Sequence, residues 1–596
     1  MSTALRVFRV SLLAALVCVA APGCGGQADL PVPEPGKTLV IGVSQEPDAL
    51  FGIVGNLMVS GDVGSFIWRP LVLIDSRRRP CCVLCTELPS LENGLLRVDY
   101  EKGVMDATFQ LKRGLQWADG TEITARDAAF AWELMSDEQY PHGASYMEPI
   151  ADVQALDSHA IRVSYKTLWP FGNADLRLRL IPEGYYRPIW ERYRSEGGAY
   201  WDRFLADERV SVYPKANGPF QVREWASGSH ILLVRNPAYN LGPPPNLERI
   251  LVRVIPDLNA LAIAVSTRQV HLTDGWLTLE QARELEETPG IEIRYVDSAW
   301  LEHATLQVKH PPFDDLRVRR ALLLAIDRAG INHAIFRGKQ PPAHSWVHPS
   351  HPAHNPGLFR YGYDPERAQR LLEQAGWSRE GDGPLRNARG EPMRLTLITI
   401  AGDRTRLQVV SVLQALWQEL GIQVEIRPES ARLLFPDTLQ RQNLKPGGVA
   451  VWRWVIQPEA TVSAYGLWWP KGTNLDQLTP GSPWDAVQEN KDLIRKALGT
   501  IDDEERYGLL RRQQEVWVRE LPTLPLYWHV RVVSMDRRLT GYVPYPDQFL
   551  GWGVENWRLG AARGAATFLS PRERSDPGAA TFLSPGERSD LGSATF

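Results

Sequence analysis

Leu395-Thr-Leu-Ile-Thr-Ile400 is followed by Val409, Leu413, Leu416, Trp417 and Leu420 at helical spacing. Gly421 and then Ile422-Gln-Val-Glu-Ile426 complete the run. The first and last stretches alternate or are β-branched, as strands are; the middle repeats every three to four residues, as an amphipathic helix does. Gly421 suits a helix stop. Strand, helix and strand with short joints form a crossover unit, which requires parallel strands. The fold class is therefore expected to be α/β.

The same grammar extends outward. Asp314-Asp315 precedes a helix in which Val318, Ala321, Leu322, Ala325 and Ile326 share one face. Asp364 precedes Pro365, a first-turn proline, and Ala368, Leu371, Leu372 and Ala375 follow before Gly376. Asp314 and Asp364 read as helix caps. Upstream, Thr38 to Val43 and Thr108 to Lys112 read as strands. Asp119-Gly120 reads as a turn, and Thr124 with Asp127 three residues on approaches a capping box.

With 596 residues the chain is too long for one ordinary core, so several domains are expected. A formal charge of −4 gives no basic footprint, so no nucleic-acid partner is expected. The N-terminus has Arg6 and Arg9 ahead of an apolar Val10–Ala21 run, too short to span a bilayer, and reads as a secretory signal over residues 1–23. Cys24 follows a small residue and resembles a lipobox cysteine, although Ala21 stands where Leu is usual. Residues 24–37 hold three alternate prolines and read as a stiff spacer between a lipid anchor and the folded body. Cys81, Cys82 and Cys85 are expected to hold a disulfide or buried thiols in preference to a metal. Residues 561–596 repeat with a period of fourteen, are polar, and are expected to be disordered.

Several blocks, in order, resemble one family: the bacterial extracellular solute-binding proteins of family 5, the oligopeptide, dipeptide and nickel type that serve ABC importers. These blocks are Phe109 to Gly120 with Thr124-Ala-Arg-Asp127, Asn217-Gly-Pro-Phe220, Arg235-Asn-Pro-Ala-Tyr239, Phe313-Asp-Asp-Leu-Arg-Val-Arg-Arg-Ala321 and Tyr363-Asp-Pro-Glu-Arg-Ala368. The resemblance implies a type II periplasmic-binding-protein-like fold, with two lobes around a ligand cleft and an inserted extra domain. It places a discontinuous domain I at 38–70, 210–297 and 525–560, the insertion at 71–209, and domain III at 298–524.

The implied function is capture of a peptide or peptide-like solute by hinge closure, and delivery to a permease and its ATPase. A nickel-chelate, haem, opine or sugar ligand is the alternative within the family. A secreted lipoprotein hydrolase, or a cell-surface receptor without transport, is the alternative outside it. No phosphate loop, Gly-x-Ser-x-Gly or His-Glu-x-x-His motif occurs, so no catalysis and no cofactor are expected. A monomer on the periplasmic side of the membrane is expected.

Peptide-binding members pair the peptide α-amine with an acid after a tryptophan-bearing strand. Here that strand is Gly448 to Val455, and Val455 and Ile456 stand where the acid is usual; Glu459 is the nearest carboxylate. Trp452 and Trp454 share one face, either as a stacking surface or as sheet-to-helix packing. Arg453 lies between them, on the other face. Trp300, Glu302 and His303 fall where the family's chain enters its last lobe, beside the cleft. His303 either faces ligand or is a hydrogen-bonded structural residue. His344, His348, His351 and His354 are dense enough for nickel, copper or zinc. Interleaved prolines favour an irregular surface loop.

Overall fold

The computed structural model describes residues 36–560 apart from 56, 76–78, 142–148, 176–177, 431–433, 435–443, 457–458, 469–485 and 545–549. The signal segment, Cys24 and the fourteen-residue repeats lie outside the described residues.

Ten strands form one sheet. In chain order they are β1 (Thr38–Val43), β2 (Phe220–Ala226), β3 (His230–Arg235), β4 (Arg249–Val254), β5 (Leu272–Asp274), β6 (Ile291–Leu306), β7 (Arg394–Ile400), β8 (Gln423–Glu429), β9 (Gly448–Val455) and β10 (Thr523–Asp536). Across the sheet the order is β8-β7-β9-β6-β10-β5-β1-β4-β3-β2. The crossover read from Leu395 to Ile426 is present: β7 and β8 are parallel, and helix Arg404–Glu419 joins them. That helix buries Trp417, whose indole N–H donates to the Leu322 carbonyl at 3.1 Å.

β6 and β10 are 16 and 14 residues long, much longer than an ordinary strand. Their length is explained by their pairing. Ile291 to Asp297 pair with Val530 to Asp536, beside β5. Leu301 to Thr305 pair with Thr523 to Trp528, beside β9. Between Asp297 and Leu301 the register shifts. The sheet is thus two half-sheets strung on two shared strands. We call the half holding β1–β5 the first lobe and that holding β7–β9 the second. At the shift, the Ser298 hydroxyl donates to the His529 carbonyl at 2.8 Å.

An antiparallel sheet of Leu96–Asp99, Val104–Gln110, Ala160–Tyr165 and Ile150–Ala155 forms a separate unit inserted into the first lobe. Its core includes Phe109, Trp117, Phe130, Trp190 and Trp201. The strand expected at Thr108 begins earlier, at Val104, because Val104 to Ala107 form a hairpin with Leu96 to Asp99. Helix Ala125–Met135 starts with the full capping box of Thr124 and Asp127. Cys82 and Cys85 form a disulfide, and Cys81 stays free and half-buried.

The blocks that resemble the family hold backbone. Asn217 bonds the Arg69 N–H and carbonyl at 2.8 and 3.1 Å. A Cβ on Gly218 would meet the Ile67 carbonyl carbon at 2.4 Å, so only glycine fits there. Asn236 donates to the Gly218 carbonyl at 2.9 Å, which ties the two Asn-containing blocks together. Asp364 caps its helix through the Arg367 N–H. At the Asp-Asp pair the cap is Asp315, not Asp314; Asp315 keeps extended backbone while Leu316 is already helical. Arg319 of the same block is buried, donating to the Phe313 and Glu520 carbonyls at 2.6 and 2.9 Å.

Where β5 meets β10, a buried acidic pair ties four segments. Arg531 pairs with Asp274 at 2.7 Å, and the Tyr542 hydroxyl donates to Asp274. Asp62, from helix Met58–Ile67, accepts the Leu550 N–H at 3.3 Å. Burial, and then the charge of Asp274, push the Asp62 carboxyl up to about 7, against the Leu550 N–H and Arg531. In the folded chain Asp62 holds its proton to near neutrality, whereas the unfolded chain loses it near 3.8. The folded chain therefore binds more protons between these values, and this contribution to stability declines as pH rises to about 7. Asp62→Asn should gain stability relative to the parent between about pH 5 and pH 8 in urea unfolding. An unchanged difference between the two proteins would refute the assignment.

Candidate functional site

The crossing of β6 and β9 builds the site. Trp300 lies opposite Val455, Leu301 opposite Trp454, Glu302 opposite Arg453 and His303 opposite Trp452. Residues opposite one another share a face, and successive residues alternate. Trp300, Glu302, Arg453 and Val455 therefore point one way, and Leu301, His303, Trp452 and Trp454 the other.

The second face is dry. Trp452 and Trp454 are buried, and the His303 ring stacks on Trp454 with centroids 3.7 Å apart. Trp454 meets Trp468 edge-on at 4.9 Å, and Trp468 meets Trp517 at 5.6 Å, both contributed by helices. The Trp452 indole donates to Thr305 Oγ1 at 3.0 Å, and His303 Nε2 lies 3.1 Å from that oxygen. Burial lowers the His303 pKa to about 3, so the ring is neutral. This geometry is that of a hydrogen-bonded structural histidine inside sheet-to-helix packing.

The first face carries charge. Glu302 is fully buried, and Arg406 grips both its oxygens, through Nε and, at 3.1 Å, through Nη2. His529 Nε2 lies 2.8 Å from Glu302 Oε2. Arg406 also binds Asp403 at 2.7 Å, and Asp403 caps the helix that carries Arg406. Burial alone would raise the Glu302 pKa; Arg406 and His529 outweigh it and hold the carboxyl well below its usual range. Burial in turn lowers the His529 pKa, against Glu302. Glu302 is thus a spent charge.

Arg453 differs. Its side chain reaches solvent and lies over the Trp300 ring at 4.4 Å. Among the described residues it has no ion pair or side-chain hydrogen bond. Surrounding protein lowers its pKa, with Glu302 opposing and Arg406 adding to the effect. Val455, two residues on, is 57% exposed. Glu459 is turned to its own helix: it accepts the Thr461 N–H and hydroxyl at 3.1 and 3.0 Å and lies 3.9 Å from Arg506.

Three of the four loop histidines are fastened separately. His348 Nδ1 lies 2.7 Å from Ser350 Oγ, His351 Nδ1 accepts the Ala353 N–H at 3.0 Å, and His354 Nδ1 lies 3.1 Å from the Val347 carbonyl. Burial, with Arg328 and Arg360 adding, lowers the His344 pKa to about 4. Among the described residues no group of three or more His, Cys, Asp or Glu side chains is placed to hold a metal ion.

Sequence reasoning missed Arg406 and His529. The available signals were Asp403 and Arg406 at a helix start, and the alternation of Tyr527, His529 and Arg531 along one strand.

Two α/β lobes joined by a pair of strands, with one open charged face at the junction, define a hinged binding protein. Residues 99–476 match the model of the bacterial extracellular solute-binding proteins, family 5, middle region, and the chain belongs to that family. The oligopeptide-binding protein AppA of Bacillus subtilis (strain 168) is 24% identical over 551 residues, covering 88% of this chain and 92% of AppA. The nickel-binding periplasmic protein of Escherichia coli (strain K12) is 25% identical over 341 residues, covering 55% of this chain and 61% of that protein. The oligopeptide-binding protein of Thermus thermophilus, solved with a pentapeptide, superposes with a TM-score of 0.69 at 25% identity, covering 89% of this chain and 98% of its own. The fold is the expected type II periplasmic-binding-protein-like one. No helix among the described residues is long and apolar enough to cross a membrane.

Glu302→Gln would leave the buried Arg406 short of a charge partner. A loss of about 3–5 kcal/mol in chemical denaturation is expected. The carboxylate contribution is present above the unfolded pKa of about 4.5 and is lost as pH falls, so the deficit should shrink in acid. A loss under about 1 kcal/mol would show that Glu302 is not the keystone described.

Proposed function

We propose that this chain is the extracytoplasmic capture component of an ABC importer. It closes two lobes on a peptide or peptide-like solute and hands it to a permease and its ATPase. The observation that carries the reading is the pair of shared strands. They join lobes that are otherwise separate half-sheets, and they present Trp300, Arg453 and Val455 at the junction. The kinship with AppA supports a peptide, and the kinship with a nickel-binding protein keeps a chelate as the second reading.

The moving bodies are the discontinuous domain at 38–70, 210–297 and 525–560 with its insertion at 71–209, against the domain at 298–524. Closure is favoured when a ligand bridges both. The chain is a monomer without catalysis or cofactor, secreted by residues 1–23 and tethered on the periplasmic side through Cys24. Neither of the sequence-singled carboxylates is free to pair an α-amine among the described residues: Glu302 is neutralised by Arg406, Glu459 is held by Thr461, and the strand carries Val455 where the acid is usual. Arg453 on Trp300 instead suits a ligand oxygen with negative charge, from a carboxylate of a peptide or of a chelate.

Native mass spectrometry of the purified body should find a co-purifying solute. Arg453→Gln should lose at least about tenfold in affinity for it, as expected for a charge-assisted contact, with unchanged melting. Trp454→Ala should instead cost about 3–5 kcal/mol of stability, because it opens a cavity under the sheet. A solute held equally well without Arg453 would exclude the anionic contact.

A further inference from the structure

The inserted unit belongs to the first lobe by chain connection, since it leaves and re-enters between β1 and β2. It also touches the second lobe. Phe171, in the loop after strand Ala160–Tyr165, lies under the Arg506 guanidinium with 5.2 Å from Cζ to the ring centroid. Trp169 braces that ring edge-on at 5.4 Å. Ile501, from the segment before helix Asp503–Glu520, packs against the core of the inserted unit.

Arg506 is not a free surface side chain. It is 2% exposed and donates to the Ile501 carbonyl at 3.1 Å. Asp503 binds it, and the Tyr507 ring lies 5.3 Å away. Glu459 stands at 3.9 Å. Glu459 is four residues past the end of β9, at the start of helix Ala460–Trp468. Glu459 and Phe171 therefore both meet Arg506, one from the second lobe and one from the inserted unit.

A desolvated cation over an aromatic face is an attraction that exists only while both bodies are in contact. When the lobes part, Phe171 and Arg506 are separated and the guanidinium meets water. Such a contact favours whichever arrangement of the two bodies makes it, with no ligand involved. We propose that Phe171 and Arg506 form an intramolecular latch between the inserted unit and the second lobe. The purpose of the latch rests on the capture reading above: it supplies part of the closing energy from the protein itself, so that a weakly bridging solute still closes the cleft.

The test is small-angle X-ray scattering on the full chain, stripped of co-purified solute by mild denaturation and refolding. Phe171→Ala should shift the open-to-closed ratio toward open by roughly tenfold, seen as a larger radius of gyration than the parent. Phe171→Trp keeps an aromatic face and should stay as compact as the parent. Phe171→Leu keeps apolar packing without the ring and should open like Phe171→Ala; it also serves as the readable variant if Phe171→Ala fails to refold. Equal radii for the parent, Phe171→Ala and Phe171→Leu would overturn the latch. A compact Phe171→Leu beside an open Phe171→Ala would overturn the role of Arg506, leaving apolar packing as the cause. The capture reading fails separately, if no solute accompanies the chain in native mass spectrometry while the scattering shift persists.

Discussion

The structure depends on how β6 pairs with β10. Each strand belongs to both lobes, so every movement between lobes must pass through their shared ladder. A ladder with perfect register along its whole length would resist such movement. Here the register breaks between Asp297 and Leu301, and Ser298 bonds the His529 carbonyl in the gap. On its other side β6 pairs with β9 in unbroken register from Trp300 to Leu306, which sets Trp300 and Glu302 on the same face as Arg453 and Val455.

Burial then sorts the charges on that face. A buried carboxylate is tolerable only if paired, and Glu302 has Arg406 and His529 around it. This satisfies Glu302 and consumes Arg406, while Asp403 secures the remaining guanidinium edge. Arg453 is left as a solvent-facing cation on an aromatic ring. The sign of the site is set by what is left over after structural pairing, and a count of charged residues near the cleft would not predict it.

That distinction explains what was legible in the sequence. Helix starts are local, so Asp364, the Thr124 capping box and the Leu395 to Ile426 crossover could be read directly; Asp315 displaced Asp314 by one residue because cap position depends on backbone angles. The shared face of Trp452 and Trp454 followed from alternation alone. Whether that face was wet or dry did not, because Trp468 and Trp517 come from helices elsewhere in the chain. The state of Glu302 was illegible for the same reason. Its partners lie 104 and 227 residues away in sequence. The hidden geometry of His303 depends on Trp454 across a strand pair, which sequence places only after the register is known.

The two faces of β6 and β9 also need each other. A strand that presents a charged group to a moving ligand must itself stay still, or the affinity gained is lost to ordering. Behind Arg453, the stacked His303, Trp452 and Trp454 are locked to Thr305 and to two helices. Rings packed edge-on and stacked in a dry core leave few alternative rotamers. Neutral His303 is favoured there, since burial against Trp452 and Trp454 penalises a charged imidazole. The tryptophans thus stiffen β9 from its dry side. In the proposed capture role they would act on binding only through that stiffness, and Arg453 by contact. The same strand therefore carries rigid packing on its dry side and a solvent-facing charge on its open side.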